Sequence, residues 1–177
     1  CMVFRATCDN ITEELVQEFV LTAENGVELG GLISEDMTLY PNVHYIVTKT
    51  LVVEEGKVLT ILPGTVLKFK KDVSIYIPKG SLQCEGEPGN MIVFTMADNE
   101  TGYMKDLHLN KNTVKYVKFS GLRIENEVIY GLSSVNMDNC IVENCFTTSY
   151  LLDGNTLNQT NLIYSQGRTQ IQTGSVT

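Results

Sequence analysis

The residues able to do chemistry are few and scattered. Three acidic pairs occur, Glu54-Glu55, Glu85 with Glu87, and Glu125 with Glu127. Two opposed carboxyl groups could act as acid and base on a glycosidic bond, but each pair sits beside turn signals, where solvated loops are the ordinary explanation. The arginines are Arg5, Arg123 and Arg168, and the histidines are His44 and His108, far apart in the chain. No cluster of acids with a base is legible, so no catalytic residue is assigned and the chain is not expected to be an enzyme. Cys1, Cys8, Cys84, Cys140 and Cys145 form no C-x-x-C pair, so neither a zinc ribbon nor a redox motif is present, and no metal or cofactor is expected. Cys1 and Cys8 could bridge locally. Cys140 and Cys145 would point to opposite faces of a continuous strand and should not bridge each other.

Binding is the chemistry that remains. Lys68, Lys70 and Lys118, with Lys71 and Lys115 close by, could form a basic strip able to hold an anionic glycan. Lysines on a flat sheet face also serve simply to keep it soluble and to block edge association. Tyr76 and Tyr116, and also Tyr103, offer flat aromatic faces of the kind that stack on sugar rings, although singly exposed aromatics are common.

These side chains need elements to position them, and the composition says which. The chain is 43% hydrophobic and 19% charged, which suits one ordinary core. Val, Ile, Leu, Thr and Tyr between Gly and Asn clusters favour short strands. A net charge of -8 disfavours nucleic acid as a partner. No apolar run is long enough for a membrane span, and no signal-peptide pattern opens the chain. Cys1 at the start admits two readings, the lipidated cysteine of a mature lipoprotein or an arbitrary cut in a longer chain.

The middle of the chain repeats with a period of roughly 25 residues, the signature of a solenoid. Residues 51 to 69 align with 75 to 94 when one residue is inserted. Val53 then matches Ile77, Gly56 matches Gly80, Val58 matches Leu82, and Pro63-Gly64 falls on Pro88-Gly89. Carrying the period forward puts Leu67, Ile92, Val117 and Val142 in one column. Phe69, Phe94, Phe119 and Asn144 fall in the next, with Asn144 either an interior residue bonding backbone at a turn or the mark of a slip of register as the coil shortens. Lys68, Val93, Lys118 and Glu143 then form an outward column. A shorter coil follows, in which residues 160 to 164 resemble 139 to 143. Alternation of inward Leu67 and Phe69 with outward Lys68 and Lys70 marks strands, and stacked coils would place the Phe rings in an internal ladder.

The stretch from Tyr45 to Thr95 resembles the opening coils of right-handed parallel β-helix proteins of the pectin-lyase-like type. The matching residues are Tyr45, Val47, Gly56, Leu59 to Ile61, Pro63 to Thr65, Gly80, Leu82, Gly86, Ile92, Phe94 and Thr95. The resemblance implies an all-β, right-handed, single-stranded parallel β-helix of about five coils. It also implies an extracellular or cell-surface setting, usually without catalysis, and it names no ligand. The function expected is a structural or adhesive module of a secreted or cell-surface protein, binding an extracellular glycan or another surface protein. The alternative is a remnant of a β-helix polysaccharide lyase or glycoside hydrolase. Sequons at Asn10, Asn99 and Asn158 are neutral in this reading.

The domain boundaries expected are a cap segment at 1–30 and the β-helix at 31–177, continuing in a longer native chain. An open solenoid end presents unpaired backbone and apolar interior, so something should cover it. Residues 9 to 20 carry Ile11, Leu15, Val16, Phe19 and Val20 at helical spacing after Asn10, which suits a short cap helix. An extra edge strand from Val16 to Thr22 is the competing reading.

Overall fold

A computed structural model describes residues 2–3, 18–19, 26–77, 79–105, 107–109, 112–124, 132–133, 135–163 and 165–171. Among these the chain is all β, with parallel strands stacked as a solenoid of about five turns. Met2–Val3 and Glu18–Phe19 form a separate antiparallel pair. The rest of the stretch expected to form a cap helix or edge strand lies outside the described residues, as do Cys1 and Cys8. The first solenoid strand, Val27–Ile33, pairs with His44–Val53 and begins inside the segment expected to form the cap, residues 1–30.

Each turn contributes to three faces. The first face stacks the start of His44–Val53 on Val66–Phe69, then Ile92–Met96, Val117–Ser120, Ile141–Glu143 and Asn161–Ile163. The second continues from the end of His44–Val53 through Ile75–Tyr76, Leu107–His108 and Leu132–Ser133. The third runs through Met37–Leu39, Val58–Ile61, Ser81–Glu85, Thr113–Lys115 and Asn136–Asp138 to the end of Phe146–Asn158. Strict alternation of buried and half-buried residues in Val58–Ile61 and Val66–Phe69 is what makes these segments strands, since period two puts every second side chain in the core.

The core is a set of columns. On the first face Tyr45, Leu67, Phe94, Phe119 and Val142 lie one above another and are buried. On the third face Leu39, Ile61, Cys84, Val114, Met137 and Leu157 do the same. The Phe rings meet edge to face, Phe69 with Phe94 at 5.8 Å and Phe94 with Phe119 at 5.3 Å between centroids.

The register differs from the constant period. Leu67 lies beside Phe94 rather than Ile92, and Phe69 beside Met96, so the Phe69–Phe94 contact is diagonal. The cause is the corner after Ser81–Glu85. Pro63-Gly64 and Pro88-Gly89 form the same kind of turn, with Thr65 N–H donating to Leu62 O at 3.2 Å and Asn90 N–H to Glu87 O at 3.0 Å. The second turn, however, sits in a longer corner that folds back over the first, where Gly64 N–H donates to Asn90 O at 3.1 Å. Gly86 begins this corner against the Tyr116 carbonyl, too close for any side chain. Phe94 opposite Phe119 holds as expected, but Val142 then lies opposite Phe119 rather than Val117. Asn144 is therefore at a turn and the register has also slipped; its φ is 52° and it is exposed rather than interior. All these slips are of two residues, which keeps each side chain on its own face. The pairing also differs by one residue in places: Leu82 lies opposite Leu59, not Val58, which puts Gly80 level with Lys57, not Gly56, and Thr160 matches Cys140, not Asn139.

Corners between faces reuse one device. Tyr116, Asn139 and Gln159 occupy the same corner in successive coils, with φ of 48°, 53° and 44°. The left-handed residue swings the chain round, and the residue after it points inward. Cys140 Sγ–H then donates to Asp138 O at 3.4 Å and to Val114 O of the coil below at 3.5 Å, and Thr160 Oγ1–H repeats this with Asn158 O at 3.0 Å and Met137 O at 3.5 Å. Cys145 and Ser165 do the same at the next corner, toward Glu143 O and Ile163 O. Cys140 and Cys145 therefore both face the core, because they follow two different corners and do not share a strand. They remain free thiols.

Replacing Phe94 by Ala removes the ring that contacts both neighbours in the ladder. The loss expected is about 3–5 kcal/mol of unfolding free energy, the cost of a large buried aromatic, read from urea denaturation; a loss below about 1 kcal/mol would show that the ladder does not bear on stability.

Candidate functional site

The lysine strip does not assemble as expected. Lys68 lies in an outward column with Ile46, Thr95, Ser120 and Glu143, whereas Lys118 lies in the other, with Val66, Val93 and Ile141. The two-residue slips that moved the Phe column moved these side chains too. Both lysines are also spent on carboxylates: Lys68 Nζ is 2.5 Å from Asp98 Oδ2, and Lys118 Nζ is 2.7 Å from Glu143 Oε1, to which Ser120 Oγ–H also donates at 2.9 Å. Lys115 pairs with Glu85 at 3.3 Å on the third face. Lys70 and Lys71 are exposed at the corner after Val66–Phe69, where the backbone N–H of Lys71 donates to Glu100 Oε2 at 3.2 Å. An anion would have to displace these carboxylates, and the paired charges leave little net field for it.

The tyrosines are separated as well. Tyr76 stands outward on the second face, between Val52 and His108, with its ring 5.3 Å from the imidazole. Tyr116 is the left-handed corner residue between the third and first faces. Tyr103 packs at the opposite side of the first face, 6.0 Å from the Phe146 ring and under the Arg123 guanidinium at 5.5 Å. No single sugar ring can touch Lys68, Lys118, Tyr76 and Tyr116 together.

Carboxyl groups with a shifted affinity for protons are held ionised. Lys68 beside Asp98 holds its carboxyl below the usual range, and Lys118 with Ser120 does so for Glu143. Glu100 is lowered by accepting backbone N–H groups of Gly102, at 3.0 Å, and of Lys71. This carboxylate ties the loop after Ile92–Met96 to the coil below. The buried thiols move the other way: burial raises Cys84 strongly and pushes Cys140 and Cys145 up to about 11.

A concavity lies elsewhere, on the outside of the third face. It is an open groove of about 480 Å³, within the range of small-ligand sites. Its floor is built from the outward residues Thr60, Gln83 and Thr113, which lie level because Ile61, Cys84 and Val114 stack directly beneath them. Leu62 and Pro63 form one wall, and Glu85, already paired with Lys115, stands at the edge. Thr60 Oγ1–H donates to Gln83 Oε1 at 3.3 Å, which fixes the amide and leaves its N–H₂ facing outward with no partner among the described residues. Thr38 below and Asn136 above extend the row. The result is a flat, uncharged array of donors and acceptors at the spacing of adjacent strands, roughly 4.8 Å. The sequence signal was present in the triplets Leu59-Thr60-Ile61 and Leu82-Gln83-Cys84, where one uncharged polar residue sits between two inward apolar ones.

Compared with models of known families, with curated proteins and with solved structures, the chain finds no match.

Two outcomes are expected. Glu100 binds its proton less readily when folded, so its contribution is present above the ordinary carboxylate range and is lost as pH falls through the lowered value. The protection factors of the Lys71 and Gly102 amides, the ratio of intrinsic to observed exchange rate, should therefore fall on acidification in the wild type and be low at all pH values in Glu100→Ala; equal protection factors in both proteins would refute the clamp. Cys84, Cys140 and Cys145 should resist a water-soluble disulfide reagent at pH 8 and react only in denaturant, and rapid native labelling of any of the three would contradict their burial.

Proposed function

We propose that the chain is a structural or adhesive solenoid module of a secreted or cell-surface protein, and that it binds a neutral glycan along its third face. The observation that carries this is the groove floored by Thr60, Gln83 and Thr113. Sugar hydroxyls are both donors and acceptors, and a fixed row of hydroxyl and amide groups offers both without an ionic partner. A flat strand surface also suits an extended chain better than a small enclosed ligand. The resemblance of Tyr45 to Thr95 to pectin-lyase-like β-helices, which names no ligand, supports an extracellular setting. The pairing of Lys68 and Lys118 with carboxylates favours a neutral ligand over the anionic one first expected.

A remnant of a polysaccharide-cleaving enzyme is the second reading. As a glycoside hydrolase it would require a carboxyl group that keeps its proton near neutral pH. Asp98, Glu100 and Glu143 are shifted in the opposite direction, which favours the binding module.

A glycan array probed with the intact chain should return neutral polysaccharide fragments. The double variant Gln83→Ala with Thr113→Val should weaken that binding by about tenfold or more, as expected for the loss of one or two hydrogen bonds. Binding only to acidic glycans, or neutral binding untouched by the double variant, would defeat the assignment.

A further inference from the structure

The fold treats two N-x-T sequons in opposite ways, Asn99-Glu100-Thr101 and Asn158-Gln159-Thr160; the third, at Asn10, lies outside the described residues. Asn99 sits at an exposed turn, with φ of 59°, where Glu100 N–H donates to Ala97 O at 3.0 Å. Thr101 is exposed too, and among the described residues only its carbonyl is engaged, by Arg123 Nη1–H at 2.9 Å. The turn is held out from the solenoid by its own neighbours: Asp98 pairs with Lys68, and Glu100 takes the amides of Lys71 and Gly102. Both the acceptor amide and the hydroxyl that must approach it therefore face solvent on a fixed platform.

At the other sequon the chain turns a corner between the two residues. Asn158 points out and donates from Nδ2 to Asp138 Oδ1 at 2.6 Å, whereas Thr160 points into the core, 8% exposed. The Thr160 hydroxyl is bound to Asn158 O and Met137 O. Gln159, at φ of 44°, puts the two side chains on opposite sides of the backbone. The coil that Asn158 docks on precedes it in the chain, so this arrangement can form as the segment is made.

We propose that Asn99 is a competent acceptor for an N-linked glycan and that Asn158 is not, a modification that rests on the extracellular reading above. In the transfer, Asn99 Nδ2 forms a bond to the anomeric carbon of an oligosaccharide carried on a lipid pyrophosphate. The bond from that carbon to the pyrophosphate oxygen breaks, the lipid pyrophosphate leaves with the electron pair, and the amide nitrogen gives up one proton. The glycan would stand at the corner between the first and second faces, away from the third-face groove.

The test is secretion of the full chain from a eukaryotic cell line behind a generic leader, followed by site mapping after enzymatic deglycosylation in heavy-oxygen water. Asn99 should be occupied in most molecules and Asn158 in almost none. Asn99→Gln and Thr101→Ala should each remove the glycan while leaving the melting temperature unchanged. An empty Asn99 in the folded secreted protein, or occupancy at Asn158 equal to that at Asn99, would overturn the proposal. The secretion host supplies the donor, so this result stands apart from where the native chain resides and from the glycan-array outcome.

Discussion

Every inward side chain in this solenoid must rest on the inward side chain of the coil below, and that stacking constraint governs the rest of the structure. A coil alone buries nothing: its three short strands become a core only when Leu67 meets Phe94, Ile61 meets Cys84 and Leu51 meets Ile75. Where paired neighbours stop among the described residues, burial stops. In the first-face column the residues from Tyr45 to Val142 are 0–6% exposed, whereas Val27 and Leu162 at its two ends are 47% and 44% exposed. The corners obey the same constraint, because the small donors that follow them, Cys140, Thr160 and Ser165, each reach a carbonyl in the coil beneath.

The constraint fixes sidedness more strongly than alignment. A slip of two residues exchanges one apolar neighbour for another and costs little, while a slip of one would turn the core outward. The long corner from Gly86 to Met91 exploits that tolerance. It lets Phe94 rise from its expected place beside Phe69 to one beside Leu67, and the rings still touch because diagonal neighbours are within reach of an aromatic side chain.

The outside is freed by this arrangement. Outward residues carry no packing duty, so their chemistry can differ from face to face. The first face answers its lysines with carboxylates and presents little net charge. The second presents the Tyr76–His108 pair. The third presents a row of threonine and amide groups with a groove beside them. One scaffold thus offers three surfaces of different character.

Much of the fold was legible in the residues themselves. Alternation in Leu67-Lys68-Phe69, the recurring Pro-Gly turns and the approximate period are local properties, and local properties suffice for parallel strands, inward Phe residues and a stacked core. The dispersal of the lysines and tyrosines was not legible, because membership of one outward column depends on register, and register depends on the length of each corner. Corner length follows from how Pro88-Gly89 folds back on Gly64 and from left-handed residues such as Tyr116 and Gln159, whose types do not announce that conformation. Alternation within a strand is thus written in the chain, whereas the alignment of one strand on the next is settled only when the coils pack.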